Sequence, residues 1–520
     1  MRNKFPIAAV IDIGSNELRL HIAQAIHNEG EPESLKYIEN LSYPLSLGRD
    51  TFHAGKMSFE KADKACEIIR NFLQLTKDYN VTDIRTIAST AMREASNVDY
   101  ILDQIKIKTG IKVDVIDEQD EKLHIYKLLA HYAEETLNKS ALVVYIGTGH
   151  LGVSLFEGGK MPRTWNISAG SLRMSELFGK MQEYTRDFYR LMEEYIAGYT
   201  NKFKNELPNN IEHFVVSGRE VELIDRLAIS DKNPAPESKT LIFELQRTDF
   251  ENLYNKIKRK TTDRIAMDYK LDAVKSEALL PASCIYQNLL NQTNAQVITA
   301  SKLLPCDGVL FEMLFPKRFS EIDRRFAKDT ILSAEELAKK HNTNKAHGDL
   351  VQRFSLLIFD KIKKLHGLGT KDKLLLTVAA ILHDIGECVN NREHNVISYA
   401  MVRSSDIVGL TQLEQRMVAL ICRYHSTTTP DFSAPHYAGL DTDIKVRVSK
   451  LAAMIRIADA LDRSHTQKFD AIDVKLTDKT MIITVKTSIN ISLEKWSFDE
   501  KGKFFEEVFG IKAELHVKKL

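Results

Sequence analysis

IAAVIDIGSNELRLHIAQA (7–25) is the stretch on which the reading of this chain turns. An apolar run broken only by Asp12 ends at Gly14, and after Ser15 and Asn16 the residues from Leu18 alternate apolar with polar. Two strand-like runs around a tight glycine turn predict a β-hairpin. ALVVYIGTGHLGVSLFEGGK (141–160) repeats the design, with Gly147, Thr148 and Gly149 in the turn. Two such hairpins at domain spacing predict a duplicated α/β domain that pinches a ligand between its halves. The turns have the chemistry for an anion: glycine allows close approach of backbone. Exposed N–H groups, the Ser15 and Thr148 hydroxyls and the Asn16 amide can cradle a phosphate. Either turn alone is equally well a plain hairpin turn; the matched pair points to phosphate.

Outward from these hairpins, strands and helices alternate. SFEKADKACEIIRNFLQLTKDY (58–79) has helical spacing with Ser58 as N-cap, DIRTIAST (83–90) reads as a strand, and VDYILDQIKIKTG (98–110) is a helix closed by Gly110. VDVID (113–117) and HFVVSG (213–218) are further strands, and EKLHIYKLLAHYAEETL (121–137) is a helix. Within TIASTAMREASN (86–97) a strand ends and Arg93 opens a helix, a position suited to bidentate phosphate binding or simply to solvent. From 332 to 465 the pattern is almost wholly helical, and from 466 it alternates like strands around one helix. The domains expected are 1–127 and 128–315 as two lobes, 316–465 as a helical domain, and 466–520 as a small α+β tail.

Composition narrows the class. The chain has 520 residues, with 72 Lys and Arg against 71 Asp and Glu. That balance excludes a wholesale nucleic-acid or membrane-surface binder. Five widely spaced cysteines predict reduced thiols rather than a disulfide framework. Asp12 interrupts the N-terminal apolar run, and no small-residue cleavage site follows, so no signal peptide is expected. LLLTVAAIL (374–382), the longest apolar stretch, is too short to span a bilayer. The expected location is the cytoplasm.

A second constellation lies in the helical part. VAAILHDIGE (378–387) carries His383 and Asp384 at the end of an apolar helix, with His347 on an earlier helix and Asp459 on a later one. Such residues can converge in a bundle core around a metal, and mixed imidazole and carboxylate ligands suit Mn²⁺, Fe or Zn²⁺ more than Ca²⁺. His394, His425 and Glu387 are candidate additional groups.

DIGSNELRL, ASTAMREASN, VIDEQDEKL, YIGTGHLG, NISAGSLRMSE, VVSG and LLPCDGVL follow one another in an order that resembles the Ppx/GppA family of exopolyphosphatases and guanosine pentaphosphate phosphatases. The resemblance implies an actin-like (sugar kinase/Hsp70/actin) two-lobed fold and a divalent metal, Mg²⁺ or Mn²⁺. It implies release of terminal phosphate from polyphosphate or pppGpp in the interlobe cleft, and a homodimer. It implies Gly14, Ser15, Asn16, Arg93, Gly147, Thr148 and Gly149 as phosphate contacts and Glu121 as the catalytic carboxylate. His347, His383, Asp384 and Asp459 resemble the metal set of the HD domain, a metal-dependent phosphohydrolase fold, and long members of the family carry an HD-like domain at this place. The second turn departs from the family pattern Asp-Ile-Gly-Gly-Gly-Ser-Thr-Glu. Tyr145 stands where the metal-directed Asp is expected and Gly152 where the Glu is expected, and neither supplies a carboxylate to a hard cation. The rival expectation is therefore a weakened cleft that senses nucleotide or polyphosphate, with metal chemistry in the helical domain.

Overall fold

The structure is a computed structural model, and it describes residues 6–27, 33–185, 187–230 and 240–518. It divides into two compact units, one running to Phe326 and one beginning at Ala327.

The first unit holds both hairpins. Strands β1 (Ile7–Ile13), β2 (Glu17–Ile26), β3 (Ser34–Pro44), β4 (Asp83–Ala88) and β5 (Asp114–Val115) form a sheet in the order β3-β2-β1-β4-β5. β1, β2 and β3 make an antiparallel meander, and β4 pairs parallel to β1. A second sheet contains β6 (Ala141–Ile146), β7 (Leu151–Glu157), β8 (Lys160–Ile167), β9 (His213–Gly218), β10 (Ile242–Gln246) and β11 (Val297–Ser301). Its order is β10-β11-β9-β6-β7-β8. The meander β6-β7-β8 repeats β1-β2-β3, and β9 pairs parallel to β6 as β4 does to β1. The duplication expected from the hairpins is therefore present in topology. β6 is buried at every residue and β1 at all but its first. Central strands covered on both faces read as continuous apolar runs for this reason.

Some local expectations change. The helix read as 121–137 begins at Glu118, because Asp117 caps it with hydrogen bonds from the Gln119 and Asp120 amides. It breaks at Ala133 before a short turn, Glu134–Leu137. Ser58 precedes the helix Phe59–Asp78 but gives it no side-chain cap; its hydroxyl goes to Asp50 at 2.6 Å. Arg93 does not open a helix. It is the fourth residue of the five-residue helix Thr90–Glu94, which ends where the Asn97 side chain bonds both backbone groups of Met57.

The boundary expected at 127/128 falls inside the helix Glu118–Tyr132. The one expected at 315/316 coincides with the start of the helix Pro316–Lys340, whereas the division between compact units lies within that helix.

The second unit packs the helices Lys345–Lys361, Thr370–Leu382, His394–Ser404, Gln412–Tyr424 and Thr442–Ala460 around one apolar core. A small sheet of β12 (Ile472–Leu476), β13 (Thr480–Lys486) and β14 (Lys512–Lys518) and the helix Ser492–Phe509 belong to it. Met481, Ile483, Phe498 and Phe505 share its core with Leu451 and Ile455. Residues 466–520 are thus not a separate tail: their apolar faces are closed only against the helices.

Candidate functional site

The two glycine turns meet. Ser15 Oγ lies 3.0 Å from Thr148 Oγ1, and both residues are buried. The first turn is fixed from outside: the Asn16 carbonyl accepts from the amides of Leu45 and Ser46, and the Ser15 carbonyl from Gly48. The second turn rests on Thr90, whose Cγ2 lies 2.6 Å from where a Cβ on residue 149 would stand, so only glycine lets it pack there.

Beside the turns is a cavity of about 30 Å³, lined by Asp12, Arg19, Glu121, Tyr145, Thr148 and Arg219 among others. It has room for a water. Glu121, buried in the first turn of its helix, is gripped from both sides. Arg93 Nη1 donates to Oε1 at 3.2 Å, and the Tyr145 hydroxyl donates to Oε2 at 3.3 Å. Burial raises the Glu121 carboxyl above its usual range, against the pull of Arg93. Burial likewise raises the Tyr145 phenol, with the Glu121 charge adding to it, so Tyr145 stays a neutral donor. Arg93 also bonds the Ile116 carbonyl and Thr90 Oγ1 and lies 3.6 Å from Glu118. Burial alone would raise Glu118, but its bond to His150 and the charge of Arg93 hold it lower. Across the cavity Arg219 approaches Asp12 at 4.0 Å and Glu17 at 3.6 Å, and Arg19 pairs with Glu17.

The expected residues of the second unit also converge. His347 Nε2 is 3.3 Å from Asp459 Oδ1 and 3.5 Å from Asp384 Oδ2. His383 Nε2 is 3.2 Å from Asp384 Oδ2 and 3.2 Å from His347 Nε2. All four are buried. Burial would lower His347, but Asp459, Asp462 and Asp384 outweigh it and raise it to about 10. Imidazole nitrogens and carboxylate oxygens this close fit a borderline divalent ion.

With the geometry in place, comparison with known proteins decides the family. The model of the Ppx/GppA phosphatase family matches residues 26–316, and that of Ppx/GppA phosphatase domain III matches 331–500. This chain belongs to the Ppx/GppA phosphatase family. It is 20% identical to a guanosine-5'-triphosphate,3'-diphosphate pyrophosphatase of Photobacterium profundum, over 92% of each chain. It is 21% identical to the protein of that name in Vibrio parahaemolyticus, over 86% of this chain and 87% of that one. Among solved structures it resembles the Aquifex aeolicus Ppx/GppA family member, with TM-score 0.51 and 19% identity over 60% of this chain and 99% of that one. An exopolyphosphatase from Cytophaga hutchinsonii gives TM-score 0.51 and 18% identity over 59% and 97%. The first unit thus has the actin-like fold of these proteins.

In this Ppx/GppA chain the departure at the second turn has a structural complement. A Cβ on residue 152 would stand 2.5 Å from Lys122 Cδ. The Lys122 stem occupies that space, and its ammonium bonds Thr164 at 2.9 Å and Asn166 at 2.5 Å. The space that a side chain at 152 would take is filled by a lysine from the neighbouring helix. Sequence reasoning missed Arg19 and Arg219 as site residues. A signal for Arg219 existed: it directly follows Gly218, the last residue of a central strand that ends beside the second turn.

Proposed function

We propose that the interlobe cavity hydrolyses the terminal phosphoanhydride of a guanosine polyphosphate or of polyphosphate. The observation that supports this most is Glu121, buried beside two facing phosphate-type turns with Arg93 and Tyr145 on its two oxygens. Chain-length relatives named for action on guanosine-5'-triphosphate,3'-diphosphate favour the nucleotide.

In this reading the turn amides and the Ser15 and Thr148 hydroxyls hold the outer phosphates. Arg93 and Arg219 offset charge on the equatorial oxygens. A water in the cavity attacks the terminal phosphorus, the bond to the bridging oxygen breaks, and Glu121 accepts the proton of the attacking water. Tyr145 and Arg93 orient that carboxylate rather than react. Mg²⁺ is commonly held by one or two carboxylates together with substrate phosphates. Asp12 is placed to hold a Mg²⁺ or Mn²⁺ in that way, and the ion would neutralise charge on the leaving phosphate. Tyr145 and Gly152 give it no further carboxylate, so turnover is expected to be slow.

A second reading has its own support. His347, His383, Asp384 and Asp459 converge as a metal set in the HD-like manner, so a cleft that mainly binds can accompany metal-dependent phosphohydrolase chemistry in the helical unit. Phosphate release from pppGpp and polyphosphate by wild type, Glu121→Gln and His383→Ala/Asp384→Ala separates the two. Loss in Glu121→Gln alone supports the first reading, and loss in the double variant alone supports the second. Saturable binding with no turnover makes the cleft a sensor.

A further inference from the structure

His21 sits midway along β2, opposite Val10 of β1, and is only 3% exposed. Neither of its ring nitrogens has a hydrogen-bond partner among the described residues. Buried polar groups are ordinarily paired, and one that is not calls for a bound water or ion. Burial holds the imidazole below its usual pKa, against the pull of Asp307. The ring is therefore neutral and keeps a lone pair for a cation.

Two further donors stand before it. The helix Pro305–Leu314 follows the last strand of the second sheet in sequence, yet it packs on β1 and β2 of the first. Its first turn carries Cys306 and Asp307, both buried. Asp307 Oδ1 lies 4.0 Å from His21 Nδ1 and 3.9 Å from Cys306 Sγ. One donor atom from each of the three residues lies within 4.8 Å of the other two. Bonds of about 2.0–2.3 Å to a tetrahedral ion would draw these atoms slightly inward.

The carboxylate is already oriented for this. Asp307 Oδ2 accepts from the Leu304 amide at 2.7 Å, at the start of the helix, which leaves Oδ1 turned to His21 and Cys306. Tyr37 of β3 bonds the same carboxylate and sets its ring edge-on to that of His21, with centroids 6.2 Å apart. Outer partners of this kind fix the orientation of metal ligands. Burial and the charge of Asp307 hold the Cys306 thiol protonated, and a coordinated ion removes that proton. Thiolate and carboxylate then carry two negative charges and the imidazole none, which balances one divalent ion.

We infer that His21, Cys306 and Asp307 form a zinc site within the first unit, next to the phosphate cavity, with a water as the fourth ligand. A thiolate beside an imidazole selects Zn²⁺ over the hard ions Mg²⁺ and Mn²⁺. Arg19, two residues before His21, and Leu304 and Pro305, directly before Cys306, line that cavity. The ion would tie β2 to a helix from the far end of this unit's sequence. A clip across so long a loop stabilises the folded state, and it would steady Arg19, which shares a face of β2 with His21.

The test uses the full chain, purified under reducing conditions. Zinc is counted by mass spectrometry, and the protein is then stripped with chelator and reloaded with Co²⁺. Cobalt reports a thiolate ligand through a sulfur-to-metal charge-transfer band in the near ultraviolet. No cysteine belongs to the proposed metal set of the helical unit, so an ion there gives no such band. Wild type is expected to show the band and to hold one zinc more than Cys306→Ala. Cys306→Ala and His21→Gln are expected to lose the band, and His383→Ala/Asp384→Ala to keep it. Zinc is expected to raise the melting temperature of wild type by more than that of Cys306→Ala. Absence of the band in wild type overturns the site, as does a band or a zinc count that survives unchanged in Cys306→Ala. The wild-type spectrum decides the matter even if a variant fails to fold.

Discussion

Ser15 and Thr148, contributed by the turns of two duplicated hairpins, hydrogen-bond to each other at 3.0 Å. A phosphate between the turns would take both hydroxyls as donors, exchanging one neutral bond for two bonds to a charged acceptor. Such bonds contribute about 1.5–3 kcal/mol each, roughly a tenfold to hundredfold change in affinity. Ser15→Ala and Thr148→Val are each expected to weaken pppGpp binding by that amount, measured by calorimetry, with only a small drop in melting temperature. Unchanged affinity in both would remove the turns from the phosphate site.

Glu121 predicts opposite effects on activity and stability. Its carboxyl is raised in the folded state because burial outweighs Arg93. The folded protein thus holds this proton more tightly than the unfolded chain, and the group's contribution to stability falls as pH rises through the folded value. Glu121→Gln removes that penalty. It is expected to abolish turnover by a hundredfold or so, the usual order for a general base, yet to melt no lower than wild type at pH 7 to 8. The advantage should shrink toward the ordinary carboxylate range. In wild type the acid limb of kcat/KM should lie above that range.

Lys122 and Gly152 form a pair that can be tested by a double-mutant cycle. Gly152→Ala puts a methyl 2.5 Å from Lys122 Cδ and 3.2 Å from the Tyr126 hydroxyl. Both ends of Lys122 are held, by its helix and by Thr164 and Asn166, so the stem cannot swing clear. Overpacking of this kind costs about 1–3 kcal/mol. Lys122→Ala is expected to recover much of it, giving a favourable coupling in thermal melts. Additive effects would mean that Lys122 does not fill the vacated position.

What the sequence reveals of this fold follows from which signals are local. The central strands β1 and β6 are legible because both faces are covered and, apart from Asp12, their residues are apolar or aromatic. β3 is not: it lies at a sheet edge, largely exposed, and its residues carry no clear alternation. Glu121 and Arg93 are legible from motif order. Arg19 and Arg219 are not, because the pairing of strands brings them to the cavity, and that is not written in local spacing. The four proposed metal donors are legible as residue types at helical positions.

Lys501 comes from the segment that reads as a separate tail, yet it is buried against Asp459 in the helical unit. It donates to Asp459 Oδ2 and to the His425 carbonyl. Its bond leaves Asp459 Oδ1 turned toward His347, which would make Lys501 a positioning residue for the proposed metal set. Removing one member of a buried ion pair costs about 3–5 kcal/mol, since the partner charge stays buried and uncompensated. Lys501→Met is therefore expected to lower the melting temperature sharply in chelator. A divalent ion bound by the native state supplies compensating charge to Asp459, and native-state binding stabilises in proportion to its affinity and concentration. Added Mn²⁺ or Zn²⁺ should then raise the melting temperature of Lys501→Met by more than it raises that of wild type. An equal metal-induced rise in both proteins would show that Lys501 packs the tail segment against the helices without acting on the metal ligands.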